Sequence, residues 1–147
     1  MAILNFLNGR KTKLMDFWRL DEHDIPDSSG IYILIAKPSH TFPYPRGRSP
    51  VFYIGQSKCL RNRLNRHLYF SKQARYESTR KEWLYWPRYE YAAKFGSRYC
   101  FVRTAKHERA RHLEDKIMAG FAKQYMAWPV ANSAGAWSRI LDVIGGD

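Results

Sequence analysis

Residues 51–67 read VFYIGQSKCLRNRLNRH, and this stretch predicts a strand that passes directly into a helix. Its first residues are β-branched or aromatic, and Gly55 ends the run. Leucines then recur every four residues, at Leu60, Leu64 and Leu68. This period gives a helix that starts near Ser57 one buried side. Arg63 and His67 are also four residues apart, so both lie on a neighbouring side and can reach one target.

Another strand is predicted upstream of this unit, at residues 31–35, which read IYILI. Strict alternation places one set of side chains on the first face, namely Ile31, Ile33 and Ile35. Tyr32 and Leu34 therefore point to the opposite face. We expect the two strands to pair as a hairpin with an enlarged connection, and we predict a third strand at residues 99–103.

A later helix, predicted to begin at a Thr104 cap and to run to about Tyr125, carries an acidic residue among apolar ones. Its apolar stripe consists of Ala110, Leu113, Ile117, Met118 and Phe121. Glu114 lies in this stripe, so the helix is expected to turn it inward. A buried carboxylate without a partner costs several kcal/mol or more, so a metal ion, a cation or protonation must compensate it. A salt bridge to Arg63 or Lys116 is the alternative to a metal.

Length and charge restrict the class of protein to which this chain can belong. The chain has 147 residues, which favours one domain over residues 1–147, and aromatic residues make up 16%. Lys+Arg 25 against Asp+Glu 13 gives a net charge of +12, which indicates a phosphate-rich partner, with a cationic surface for solubility as the alternative. Cys59 and Cys100 are far apart and suit a reduced, cytoplasmic protein. Residues 1–8 lack the pattern of a signal peptide, and no membrane span is expected.

The cations are concentrated in one stretch. Eight Lys and Arg residues but only one acid, Glu77, lie between Lys58 and Lys81. Aromatic residues are interleaved with these cations and follow them, a mixture that suits neutralisation of a phosphate backbone and stacking on bases. The alternative is that the aromatic residues belong to the core, and this is the expectation for Trp83 and Trp86.

Taken in chain order, these pieces resemble the GIY-YIG nuclease family. The matching residues are Gly30-Ile31-Tyr32, Tyr53-Ile54-Gly55, Arg63, His67, Glu114 and Asn132, the last within Pro129-Val130-Ala131-Asn132. The resemblance covers residues 28–135, which leaves a lead-in at 1–27 and a predicted short helix at 136–147. It implies an α+β fold in which a small three-stranded antiparallel sheet is flanked by helices.

One feature departs from the family pattern. The connection between the first two strands, residues 37–50, is longer here than is usual in the family, and it carries Arg46 and Arg48. Insertions in surface loops cost little free energy, so the expected fold is unchanged. This long basic loop is expected to contact DNA or to act as a lid.

The resemblance implies a role for each acidic or basic residue of the set. Glu114 would hold one divalent cation, Mg²⁺ or Mn²⁺, with waters and substrate phosphate completing its shell. Arg63 would neutralise the scissile phosphate, and its alternative is an ordinary solvated helix charge. Further substrate-binding cations are expected at Lys58, Arg61, Arg66, Arg46 and Arg48.

The tyrosines and the polar support residues have implied roles as well. Tyr32 would act as the general base on the attacking water and Tyr53 would support it, although both are otherwise ordinary strand aromatics. His67 would relay a proton or orient a tyrosine, unless it is structural. Gly55 would permit a sharp strand exit and a close approach of substrate, and Asn132 would tie the closing loop to the active face.

The expected activity is that of a metal-dependent DNA endonuclease with a single active site. Its substrate would be duplex or branched DNA, and the protein would act as a monomer or as a DNA-dependent dimer, with a partner protein as one source of targeting. The alternatives are a non-catalytic nucleic-acid binding module and an interaction protein with no nucleic-acid role. A pure binder has no need of the combined set Tyr32, Tyr53, Arg63 and Glu114.

Overall fold

The computed structural model describes residues 13–76 and 87–132. Its strands, in chain order, are β1 Met15–Asp16, β2 Gly30–Ala36, β3 Phe42–Tyr44, β4 Gly47–Ser49, β5 Val51–Ser57 and β6 Gly96–Arg103. Its α-helices are α1 Leu60–Tyr76, α2 Pro87–Phe95 and α3 His107–Tyr125, and a short 3₁₀ turn spans Glu22–Asp24. The predicted helix at 136–147 and the tryptophans Trp83 and Trp86 lie outside the described residues.

The main sheet is antiparallel and has four strands in the order β1-β6-β2-β5, so the α+β class is confirmed. The three predicted strands form its inner part and one edge. The fourth is the two-residue β1, which was not predicted because two residues carry no alternation pattern. β1 pairs with β6 through Met15 and Asp16. After β1 the chain turns, and the Asp16 carboxylate accepts a hydrogen bond from the Trp18 backbone N–H at 3.0 Å.

The register of the central strand separates two faces of the sheet. Tyr32 lies opposite Gly55 on one side and Phe101 on the other, whereas Leu34 lies opposite Tyr53 and Tyr99. Directly opposed residues share a face, so these residues form what we call the tyrosine face. The other face carries Ile31, Ile33 and Ile35 and is called the isoleucine face. All residues of β2 are buried, so helices or loops cover both faces.

Helix α1 covers the tyrosine face. Its leucines Leu60, Leu64 and Leu68 are all buried, as the four-residue period predicts. The helix begins at Leu60, three residues later than expected, because the Ser57 hydroxyl oxygen accepts the backbone N–H of Cys59 at 3.0 Å and holds a turn there.

The long connection at 37–50 is a docked β-hairpin rather than an irregular loop. Strands β3 and β4 pair within it, and Gly47 at its turn has a φ of 108°, which favours glycine. The Tyr44 hydroxyl donates to the Val51 carbonyl at 2.9 Å, and the Tyr44 ring packs on Phe121 of α3 at 5.2 Å between centroids. The hairpin is therefore anchored to the core by an aromatic residue that the loop prediction did not use.

Helix α3 starts at His107, and the predicted cap at Thr104 is wrong. Lys106 is the N-cap residue and makes no side-chain capping bond. The Thr104 hydroxyl instead donates to the Lys106 carbonyl at 2.9 Å and lies 2.9 Å from the Ser29 hydroxyl oxygen. The helix ends at Tyr125 as predicted, because Met126 adopts a left-handed conformation with φ 59°.

Glu114 is half-buried, so the prediction that α3 turns it fully inward holds only in part. Most of the predicted stripe is buried, namely Ala110, Ile117, Met118 and Phe121, while Leu113 is half-buried beside Glu114. A half-buried carboxylate keeps access to solvent and to a ligand. Within the described residues, no helix combines the length and apolar character needed to cross a membrane.

Candidate active site

The ring of Tyr32 lies directly over Gly55. A Cβ built on Gly55 would lie 2.7 Å from Tyr32 Cζ and 2.8 Å from its hydroxyl oxygen, which is closer than real Cβ atoms come. Only glycine therefore lets the phenol extend across β5 toward the edge of the sheet. Gly55 therefore makes room for the Tyr32 ring of the neighbouring strand. This role is separate from the predicted close approach of substrate.

Three rings from two strands and a helix meet on the tyrosine face. The centroid of Tyr53 lies 5.9 Å from Tyr32 and 5.6 Å from His67, and Tyr32 lies 6.1 Å from His67. Tyr32 and His67 are each only 1% exposed, whereas Tyr53 is half-buried. The structure thus brings together both predicted tyrosines and the predicted histidine, with Tyr53 as the ring that reaches solvent.

His67 is held as a neutral ring within this cluster. The Ser71 hydroxyl donates to the His67 carbonyl at 2.6 Å, so its oxygen can accept a hydrogen from His67 Nδ1, 3.3 Å away. Nε2 is then the unprotonated nitrogen, and it is buried with no hydrogen-bond partner among the described residues. Burial, together with the positive charges of Arg88 and Arg63, lowers the pKa of His67 to about 3.

The two tyrosines have different environments. Burial raises the pKa of Tyr32 well above its usual value of 10, and Tyr53 adds to this increase by charge and by a hydrogen bond. The two phenols are thus hydrogen-bonded to each other on the tyrosine face. Arg63 and Arg88 lower the pKa of Tyr32, but burial outweighs them. The general-base role that the resemblance implies for Tyr32 needs a lowered pKa, and burial shifts the pKa of Tyr32 in the opposite direction.

Arg63 lies beside this cluster, as its spacing from His67 predicts. It is half-buried on α1, and its charge acts on both Tyr32 and His67. Because His67 is on the buried side of the helix, Arg63 one turn earlier is directed to the rim of the cluster. A guanidinium at this rim is suited to a phosphate that approaches the tyrosines.

Arg88 is a residue of the site that the sequence did not reveal. It belongs to α2, is half-buried, and places its guanidinium carbon 4.9 Å from the Tyr89 ring centroid. The Tyr89 ring packs edge-on against His67 at 5.0 Å. Burial would lower the pKa of Arg88, but a hydrogen bond to Tyr89 and the phenols of Tyr53 and Tyr32 raise it. The cluster therefore has a second guanidinium, on a helix whose sequence carries no nuclease motif.

Glu114 lies on helix α3, which contacts the sheet from a different side than α1. Helix α3 packs against β5 and β2. Its first residue, His107, hydrogen-bonds Gln56, which alternates with Gly55 and so lies on the isoleucine face. The edge strand β5 is thus contacted by α1 on one face and by α3 on the other. The structure groups Tyr32, Tyr53, Arg63 and His67, while Glu114 belongs to the helix across β5.

The donor chemistry of Glu114 fits a hard divalent cation with few protein ligands. Among residues 13–76 and 87–132, no three His, Cys, Asp or Glu side chains come together as a metal-binding group. Mg²⁺ is often bound by one or two carboxylates, with waters and substrate phosphates in the remaining positions. One half-buried carboxylate is compatible with that mode and not with a cage made of protein ligands.

Asn132 fastens the closing loop to the exposed edge of β5. Its side-chain oxygen accepts the Ile54 backbone N–H at 3.2 Å, and its amide nitrogen donates to the Ile54 carbonyl at 2.9 Å. The Ala131 N–H also donates to the Phe52 carbonyl at 2.9 Å. These hydrogen bonds pair backbone groups of β5, the strand that carries Tyr53 and Gly55, and they hold this strand in position.

The predicted substrate-binding cations fall into two groups. Lys58, Arg66 and Arg46 have exposed side chains. Arg61 and Arg48 hold the fold: Arg61 Nε donates to the Ile25 carbonyl at 3.0 Å, and Arg48 donates to Thr41 at 2.8 Å. Their remaining N–H groups are the ones that a phosphate can contact.

Comparisons of the chain with family models, with curated proteins and with solved structures found no match.

Proposed function

We propose that the protein is a metal-dependent endonuclease that hydrolyses phosphodiester bonds in DNA. The observation that carries this proposal is the meeting of Tyr32, Tyr53 and His67 on one face of the sheet, with Arg63 and Arg88 at its rim. Hydrolysis of a phosphodiester needs a positioned water, stabilisation of negative charge on phosphoryl oxygens and help for the leaving oxygen. The cluster offers phenols, a neutral imidazole and guanidinium groups for these tasks.

In this proposal Tyr53 faces the substrate and Tyr32 supports it. Tyr53 is half-buried, whereas Tyr32 is covered and hydrogen-bonded to Tyr53. That bond orients the Tyr53 hydroxyl for contact with the attacking water. The resemblance suggested the reverse division, and the burial of Tyr32 is the reason for exchanging the two roles.

The imidazole and the guanidinium groups complete the chemistry. His67 packs on both phenols and keeps a buried, unprotonated Nε2, which in this proposal accepts a hydrogen from one of the phenols during the reaction. Arg63 and Arg88 neutralise phosphoryl oxygens, a task suited to planar guanidinium groups. Glu114 is assigned to a divalent cation, Mg²⁺ or Mn²⁺, which when bound would supply Lewis-acid stabilisation of the phosphate. This assignment requires its carboxylate to reach the edge of β5 near Gly55.

A nicking assay on supercoiled plasmid tests the proposal. The wild-type protein should convert the plasmid to the open-circular form with Mg²⁺ or Mn²⁺ and not with EDTA. Glu114→Ala should abolish nicking and leave DNA affinity within about threefold, while Glu22→Ala, an exposed acid away from the site, should nick normally. Absence of cleavage by the wild type on plasmid, branched and single-stranded DNA, with either metal, would refute the proposal.

A second candidate function is a non-catalytic nucleic-acid binding module. Burial favours it in one respect, because a phenol that is 1% exposed with a raised pKa is poorly placed to take a proton from water. Such a module binds DNA or RNA with strong salt dependence and without a requirement for metal. Salt-sensitive binding that is unchanged by EDTA, together with no nicking, would support the binder over the nuclease.

A further inference from the structure

A groove beside α3 takes no part in the site described above. Its volume is about 590 Å³, and cationic side chains Lys106, Arg109 and Lys116 line it together with His112 and one acid, Glu108. The three cations are exposed, and within the part of the chain that the structure describes none of them forms an ion pair. The groove is therefore a solvent-open surface with an excess of positive charge.

The spacing of these cations suits an extended polyanion better than a small ion. Arg109 and Lys116 are seven residues apart on one helix, which corresponds to about 10 Å along its axis. One small anion cannot contact both side chains at their full separation. A nucleic-acid strand, which carries a phosphate about every 3.4 Å along the helix axis, can contact them in turn.

The groove also lies at the end of the sheet where other predicted DNA contacts begin. Thr104 lines it and touches Ser29, and the next residue, Gly30, is paired with Arg103 on one side and Ser57 on the other. Lys58 follows Ser57 directly and is exposed. Adjacent strands are about 4.8 Å apart, so Ser57 and Arg103 are roughly 10 Å apart across this end of the sheet. Lys58 and the groove thus belong to one end of the molecule.

We propose that this groove binds the sugar-phosphate backbone of nucleic acid away from the scissile bond. The proposal rests on the proposed function, because it takes the same nucleic acid as the partner. It goes beyond it by assigning affinity to Lys106, Arg109 and Lys116, which belong to no nuclease motif. A positively charged groove of this kind holds the substrate in register without reading its sequence.

Equilibrium binding of a fluorescent duplex in EDTA tests the groove without any cleavage. The triple variant Lys106→Gln/Arg109→Gln/Lys116→Gln should weaken binding and reduce the slope of log K against log salt concentration by about two to three units. The matched control Lys13→Gln/Arg19→Gln/Lys94→Gln likewise removes two lysines and one arginine, from exposed positions outside the predicted DNA contacts, and should change the slope by less than one unit. Circular dichroism checks folding, and if the triple variant does not fold, Lys106→Gln/Lys116→Gln is compared with Lys13→Gln/Lys94→Gln, with an expected decrease in slope of about two units against less than one.

The outcomes separate the groove from the nuclease proposal. The groove assignment would be overturned if the slope of log K against log salt concentration is the same in the groove variant and the control, or if the groove variant keeps the wild-type slope. The assignment would also be overturned if the groove variant loses binding to a polyglutamate peptide but keeps its affinity for the duplex, because the groove would then bind an acidic peptide rather than nucleic acid. A groove variant with a reduced slope, in a protein whose wild type never nicks DNA, would support the groove while refuting the nuclease.

Discussion

Gly55 and Tyr32 occupy adjacent strands so closely that the glycine has no room for a side chain. A Cβ at position 55 would lie 2.7 Å from Tyr32 Cζ and 2.9 Å from its Cε1. The YIG glycine and the GIY tyrosine thus act as one structural unit, because the first gives the second its path across β5. This unit sets the position of the phenol that is hydrogen-bonded to Tyr53.

Gly55→Ala should damage both the site and the fold. The added methyl group must displace the Tyr32 ring or the strand, and overpacking of this kind costs about 1–3 kcal/mol. The matched control is Gly120→Ala on α3, where nothing lies within 4 Å of the new Cβ. Since alanine is a better helix former, that control should stabilise the protein by roughly 0.5–1 kcal/mol. Urea denaturation measures both effects, and equal stability of the two variants would contradict the contact.

The exchange of tyrosine roles predicts an unequal response to removal of each hydroxyl. Tyr53→Phe should lower the nicking rate by roughly 10²-fold or more, because it removes the phenol that faces the substrate. Tyr32→Phe should cost less, since only a supporting hydrogen bond is lost. Tyr91→Phe, a half-buried tyrosine outside the cluster, is the control. Single-turnover nicking rates measure the two effects. A larger loss of rate for Tyr32→Phe than for Tyr53→Phe would support the general-base role of Tyr32 that the resemblance implies.

Arg88 is predicted to contribute to the reaction although no motif contains it. Arg88→Gln should reduce kcat/KM by roughly tenfold to a hundredfold, because a guanidinium near the phosphate is lost. Arg75→Gln is the matched control, since Arg75 also stacks on an aromatic ring, with its guanidinium carbon 4.7 Å from the Trp18 ring centroid, but at the far end of α1. Steady-state nicking kinetics measure both variants. Similar kcat/KM values for the two would place Arg88 outside the site.

His67 should make the protein sensitive to acid. Its pKa in the folded protein is about 3, lower than the value of about 6.5 in the unfolded chain. The unfolded chain therefore binds a proton first, and stability that is complete above about pH 6.5 is lost as the pH falls toward 3. The loss between about pH 7 and about pH 4.5 is on the order of 2–3 kcal/mol.

Urea denaturation across this pH range tests the role of His67. His67→Gln is less stable at neutral pH but should show a flatter dependence on pH, because glutamine does not titrate. The exposed His23→Gln should retain the wild-type dependence. A steep dependence in His67→Gln would show that other groups cause the acid sensitivity.

The parts of the fold that follow from periodicity were predictable from the sequence. The alternation of Ile31, Tyr32 and Ile33 gives the two faces of the sheet, and the leucine period gives the buried side of α1. The docking of the hairpin at 37–50 was not predictable, because it depends on the contact of Tyr44 with Phe121, which lies far away in sequence. The two-residue strand β1 is likewise a product of tertiary pairing with β6.

In the candidate site too, contacts between residues that are close in sequence could be predicted, and contacts between distant segments could not. The spacing of Arg63 and His67 indicated that both can reach one target, and in the structure the His67 ring packs on Tyr53 while the charge of Arg63 acts on Tyr32. Arg88 was missed because it reaches the cluster through the packing of α2, with Tyr89 on His67. The sequence likewise gave no sign that Arg61 donates to the Ile25 carbonyl, because that contact joins segments 36 residues apart.

The position of a bound metal tests the central claim most directly, namely that Glu114 joins the tyrosine cluster around one cation. Anomalous diffraction from crystals soaked in Mn²⁺ should show one peak within bonding distance of the Glu114 carboxylate, at the edge of β5 and facing Tyr53 and Arg63. Glu114→Ala crystals should lose that peak. A Glu114 carboxylate that stays on the isoleucine face, with no manganese between it and the tyrosines, would contradict the account.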